Sequence, residues 1–385
     1  MVDFSAVMSM LAMLQQNTDD WFSWMVFMLF MVILNFYAGK LQIQVWMGQI
    51  GRALDQLNRF RLEAEREFVE TASKYGKEKE KIKKALERFI GFFMMLPETI
   101  DPAGAVLKLD HIVRNREDRL NFFIKEVAPK SDDVALANLR DLLESTIALD
   151  FIFRVVRHYF VLGKKTQNMI YIAQIQMLLP EIMRMARAYR MAAEASKRGL
   201  PMGDGIGPLV ALRLIGNSEV IDFGENVVGA ELDIEGRRVL VLKAKGPGGE
   251  IGRPGEALKR IIESRAGNVS RIMMIDAAMK LEGEKTGEIA EGVGAAIGGI
   301  GVEKWKIEEV ATKYGIPLDA FIIKEDFAEA VAAMTKEIAS TANEVANRVR
   351  EAILSRTSEG DFVIVVGVGN SAGIGNRLEV PGIAS

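Results

Sequence analysis

The sequence predicts a membrane-anchored chain of the α plus α/β class. Its parts are one N-terminal transmembrane helix, an all-α middle domain, and a C-terminal domain with a mixed, partly parallel sheet and glycine-rich loops. Three observations carry this. The stretch from Trp21 to Gly39, WFSWMVFMLFMVILNFYAG, is apolar and uncharged. Helical patterning then continues to about residue 198. Beyond it, short apolar runs alternate with helical patterns, and all but seven of the 35 glycines lie there, as turns between strands require.

Taken in order, residues 1–20 form a short extracytoplasmic N-terminus and 21–39 the membrane span. Nineteen helical residues rise about 28 Å, enough for the hydrocarbon core of a bilayer. Trp21, Trp24 and Tyr37 suit the two interfaces. No Lys or Arg precedes the span, whereas Lys40, Arg52, Arg59 and Arg61 follow it. The positive-inside rule therefore places the N-terminus outside and the remainder in the cytoplasm, a single-pass protein of the cell membrane with lipid as its partner. A cleaved signal peptide would need a basic start and a small-residue cleavage site, and neither is present. A buried core helix is the remaining alternative.

Composition narrows the chemistry. A net charge of −3 with no basic tail argues against nucleic acid. Zero cysteines exclude disulfides and thiolate catalysis, and two histidines exclude multi-histidine zinc sites. Any metal would be a hard cation on oxygen ligands.

Residues 40–198 read as a helical stalk and helical domain. Ile43, Met47, Ile50, Leu54, Leu57, Ala64 and Phe68 step by three and four. Such a stripe serves either a self-associating stalk, hence a homo-oligomer, or one helix packed on its own domain. Further helices are expected over 77–96, 103–127, 132–162 and 165–198, with Pro97, Pro102 and Pro129 in the breaks. Residues 199–208, GLPMGDGIGP, read as a linker. Their GDGIGP is similar to the opening motif of isopropylmalate dehydrogenases, but the arginine-rich signature expected next is missing.

The α/β domain spans 209–385. Strands are expected at 209–215, 238–244, 270–275, 320–323 and 362–366, an antiparallel hairpin at 229–238, and helices near 255–265, 302–314 and 326–356. Three segments share the spacing G-x-G-x-x-x-G: Gly246/Gly248/Gly252, Gly292/Gly294/Gly298 and Gly367/Gly369/Gly373. Loops leaving parallel strands gather on one edge of a sheet, where glycine lets backbone amides converge on an anion. Gly246, Gly248, Gly249, Gly252 and Arg253 on one side, with Gly369, Asn370 and Ser371 on the other, are the candidate binding residues for a phosphate-bearing ligand such as a nucleotide. Asp276 and Glu284 are the candidate Mg²⁺ ligands. Each loop also has a plainer reading as a turn needing positive φ, and the carboxylates as solvated charges. Thr286 is expected to bind phosphate or to cap a helix starting near Glu288. Gly369-Asn-Ser371-Ala-Gly373 matches the G-x-S-x-G nucleophile pattern, yet no histidine follows it. Too little chain follows Ala372 for a dinucleotide fold.

GPGGEIGRPGEA, DAAMKLEGEKTGEIAEGVGAAIGG and VIVVGVGNSAGIG behind an apolar N-terminus resemble an archaeal family of membrane-anchored proteins, a domain of unknown function. The resemblance implies an archaeal source and a cytoplasm-facing soluble region, and it implies no activity. The competing expectation to ligand binding is a homo-oligomeric membrane scaffold without catalysis.

Overall fold

The computed structural model describes residues 21–94, 102–166, 168–299 and 301–378. The expected extracytoplasmic segment 1–20 and the end of the predicted helix 77–96 lie outside them. The chain forms two compact units. The smaller combines the chain up to Gln56 with Val155–Pro180, and the larger combines Leu57–Arg154 with Glu181–Ser385.

Among the described residues five helices come first: α1 (Trp21–Ser73), α2 (Lys79–Phe89), α3 (Pro102–Val127), α4 (Asp133–Thr166) and α5 (Met169–Arg198). The apolar run 21–39 is only the first part of α1, which is 53 residues long. Among the described residues no helix is long and apolar enough to cross a membrane. This overturns the single-pass transmembrane reading, and with it the support for the topology built on it. The run is the smaller part of that helix, with Ser23, Asn35 and Tyr37 diluting its apolar character and charge beginning at Lys40. The helix continues through Arg52, Asp55, Arg59 and Glu63 without a break.

The expected interchain stripe is also used within the chain. In the smaller unit Ile50 and Leu54 are buried, Phe160 lies against Gly51, and Gln176 donates to Gln49 at 2.6 Å. In the larger unit Leu57, Ala64 and Phe68 are buried, and Phe68 stacks on Phe123 at 6.2 Å. Arg190 clasps Glu63 and Glu67 across from α5 to α1.

The C-terminal part is a three-layer α/β sandwich. After a 3₁₀ turn (Gly203–Gly205) come α6 (Ile206–Ile215), β1 (Ile221–Gly224), β2 (Val227–Ile234), β3 (Arg237–Ala244), α7 (Pro254–Ser264), β4 (Arg271–Met279) and β5 (Ile289–Val293). Then follow α8 (Val302–Tyr314), β6 (Leu318–Glu325), α9 (Phe327–Val331), α10 (Lys336–Arg356) and β7 (Phe362–Gly367). The seven-stranded sheet has the order β1-β2-β3-β7-β4-β6-β5. Its four central strands, β3, β7, β4 and β6, are parallel and both edges are antiparallel. The last strand of the chain thus enters the middle of the sheet, between β3 and β4.

Strand alternation sorts the core. Val239, Val241, Met273, Ile275, Val363 and Val365 face α6 and α10. Leu240, Leu242, Ile272, Met274, Ile364 and Val366 face α7 and α8. These strands are buried on both faces, so they read as unbroken apolar runs. The same property misleads at 209–215: α6 is buried almost all round, and apolar periodicity alone does not separate such a helix from a buried strand. The expected helix 326–356 is two helices, broken where Ala333 bridges Met202 and restarted at the Thr335 cap. No helix starts near Glu288; edge strand β5 does, and Thr286 bonds Glu329 and Lys280 instead.

Candidate functional site

The loops after β3 and β7 do meet, as their spacing predicts. Their polar groups, however, are spent on one another. Ser371 is fully buried, and its Oγ lies 2.9, 3.0 and 2.9 Å from the carbonyls of Lys245, Gly248 and Glu250. A hydroxyl held by three carbonyls with no base beside it is a clasp, which removes the nucleophile reading. Asn370 donates to Asp141 on α4 at 2.9 Å and accepts from the amide of Ala372. Asn376 closes a reciprocal pair with Gly246 (2.8 and 2.9 Å). The Gly249 amide donates to Asn138, and Arg140 donates to the Gly249 carbonyl.

The glycines here permit close chain crossings. A side chain on Gly246 would collide with the Ile374 carbonyl, and one on Gly369, at φ +134°, with the carbonyl of Asp204. Gly207 and Gly367 let α6 press directly against β7. Residues 203–208 are therefore largely buried in the heart of the sheet edge rather than being a slack connection.

Arg253 is occupied as well. It pairs with Glu117, and lies 3.6 Å from Asp110 and 3.8 Å from Glu225. Pro254 opens α7 at N1 as its sequence suggests. The amides of Gly255 and Glu256 then donate to Glu303 at 2.8 and 3.3 Å. A carboxylate of the chain itself sits where helix amides would hold an anion.

Asp276 and Glu284 are not partners. Glu284 pairs with Lys324 and accepts from the Leu281 amide at 2.7 Å. Asp276 faces a cleft of about 380 Å³ whose walls do not include Glu284. Among the described residues no three His, Asp or Glu are grouped to hold a metal ion.

That cleft opens at the carboxyl ends of β4, β6 and β7, where parallel sheets present ligand sites. Asp276 is 8% exposed; its oxygens accept from the amides of Ala277 (2.8 Å) and Gly298 (3.1 Å). Glu325, the last residue of β6, is 1% exposed, and neither carboxyl oxygen has a partner among the described residues. Asp204 comes from the 3₁₀ turn; it takes a backbone hydrogen bond from Asn370, and its Oδ1 is buried without a partner among the described residues. Burial raises all three. Asp204 moves to about 7. Glu325 reaches about 8, through burial and then the nearby charges of Asp204, Glu329 and Asp276. Asp276 reaches about 8 through burial and then Asp204. Burial and mutual repulsion therefore favour the protonated forms of these groups.

Asp110 and Glu117 of α3 line the same cleft, as do Met279, Ile297, Val302 and Phe327. So do Gly298, Gly299 and Gly301, whose Cβ positions are open space. Of the three glycine repeats, the one farthest from its strand reaches the cleft with open glycines. Glu325 and Asp204 go unmarked in the sequence reading. The clue that marked Asp276, an acid ending an apolar parallel strand, applies equally to Glu325 in AFIIKE. For Asp204 nothing local serves, since its place depends on a chain crossing.

Two family models match consecutive parts of the chain: the N-terminal domain of a protein of unknown function, DUF1512, over residues 24–199, and the DUF1512 C-terminal domain over residues 202–375. The chain belongs to the DUF1512 family. The match agrees with the expected family of unknown function and carries neither a source organism nor a membrane anchor. No curated protein matches the sequence. The boundary between the two DUF1512 domains falls where α5 ends, and the cleft draws Asp110 and Glu117 from the first and its three buried carboxyls from the second.

Proposed function

We propose that this DUF1512 chain is a small-molecule-binding module whose ligand carries a positive, hydrogen-bond-donating group. The observation that carries the reading is Glu325, buried at the sheet edge, opening on a ligand-sized cleft, with both oxygens unpartnered among the described residues. An orphaned buried carboxyl costs about 1–3 kcal/mol or more unless a ligand satisfies it. Asp204 and Asp276 add two further carboxyls to the same walls, while Asp110, Glu117 and Arg253 there are paired with one another. A phosphate or nucleotide with Mg²⁺ fits this lining less well, since Glu303 occupies the amides at the start of α7.

Calorimetric titration of the full chain tests the reading. Agmatine and spermidine represent organic cations, and inorganic phosphate, ATP and MgCl₂ the alternatives. Saturable binding of a cation, weakened about tenfold or more by Glu325→Gln, is the expected outcome. Saturation by phosphate or ATP with an affinity indifferent to Glu325→Gln and reduced by Arg253→Ala would overturn it.

A further inference from the structure

The cleft counts its own hydrogen bonds, and the count narrows the ligand. Each Asp276 oxygen already accepts one backbone amide, which leaves it less spare acceptor capacity than the unpartnered oxygens beside it. Three buried acceptor atoms remain, Glu325 Oε1, Glu325 Oε2 and Asp204 Oδ1. Both carboxyls line the same cleft, and after burial itself the charge of Asp204 is the next cause that raises Glu325. A primary ammonium presents three N–H donors on one atom and accepts nothing. A quaternary ammonium has the charge without donors, and a hydroxyl has one donor without the charge.

One part of the wall is apolar: Met279, Ile297, Val302, Phe327 and Val368 line it together with the open Gly298, Gly299 and Gly301. Met279 is 64% exposed at the end of a strand whose middle, residues 272–276, is buried. Such a surface suits a hydrocarbon body, at roughly 0.8 kcal/mol per buried CH₂.

We infer that the ligand is a primary amine with an apolar body, its ammonium seated on Glu325 and Asp204 and its hydrocarbon part against Met279, Ile297 and Phe327. The inference rests on the cation-binding reading above and specifies its ligand class. The shifted carboxyls agree with it, since an entering ammonium would favour their ionised forms.

The test uses the full chain and four probes of similar length: n-hexylamine, hexyltrimethylammonium, 1-hexanol and putrescine. Hexylamine is expected to saturate, with the other three at least tenfold weaker. Glu325→Gln and, separately, Asp204→Asn are expected to weaken hexylamine about tenfold and leave hexanol unchanged, with circular dichroism of each variant reporting that it is folded. Hexyltrimethylammonium binding as tightly as hexylamine would defeat the donor count, and putrescine binding more tightly would defeat the apolar body. Either result leaves the cation reading standing. Failure of every cation in both panels would end both.

Discussion

Replacing Glu325 by glutamine should make the protein more stable, and by an amount that depends on pH. The side chain is buried, without partners among the described residues, and raised from the usual 4.5 to about 8. Between those values the folded state holds a proton that the unfolded chain has released. Stability therefore falls as pH rises from about 4.5 towards 8 and levels off beyond. Each pH unit in that window corresponds to about 1.4 kcal/mol, so the penalty at pH 7 is on the order of 3 kcal/mol. Glutamine keeps the shape and does not titrate. The variant should match the parent near pH 4.5 and exceed it by about 3 kcal/mol at pH 7, or roughly 5 °C in Tm for a unit of about 300 residues. Thermal melts of both proteins at pH 4.5, 6, 7 and 8 measure this directly. A difference that stays constant across that range would show that Glu325 titrates alike folded and unfolded, and the orphaned-carboxyl argument would fail.

The glycine assignments make opposed predictions. Gly369→Ala should cost more than about 3 kcal/mol, because its φ of +134° is strained for alanine and the new methyl collides with the Asp204 carbonyl. Gly292→Ala, on an edge strand with open space around it, should be neutral or slightly stabilising when both variants are unfolded in urea. Ser371→Ala should destabilise by about 1–3 kcal/mol through the carbonyls it releases, and the parent should resist labelling by fluorophosphonates, which a nucleophilic serine would not. Glu303→Ala should uncover the first amides of α7, costing about 1–2 kcal/mol in stability and creating weak phosphate affinity absent from the parent, measurable by calorimetry.

Much of the scaffold was readable in advance, for reasons that are local. The strands β3, β4, β6 and β7 are apolar runs ended by glycine or charge, the β2–β3 hairpin turns on Glu235-Gly236, and α7 starts at a proline. Edge strands β1 and β5 escaped because they are short and mostly exposed, so no apolar run announces them. The 21–39 stretch shows the opposite failure. A long apolar string states composition, whereas the helix that contains it runs on to Ser73. The site divides in the same way. Gly246, Gly248, Gly249, Asn370 and Ser371 were expected together and are together, yet hydrogen bonds to distant carbonyls and to α4 turn them into a clasp.

The sequence by itself determined which half is helical and which strands form the centre of the other. Those outcomes follow from residue type, periodicity and turn chemistry within a dozen neighbours. Only the tertiary structure decided that 206–215 is a buried helix, that Glu303 caps α7 and that Arg253 is neutralised. It alone brought Asp204, Asp276 and Glu325 to one cleft from three separate elements. Burial and unpaired hydrogen-bonding capacity belong to the surroundings that a fold imposes on a residue, and those surroundings come from chain segments scores of residues away.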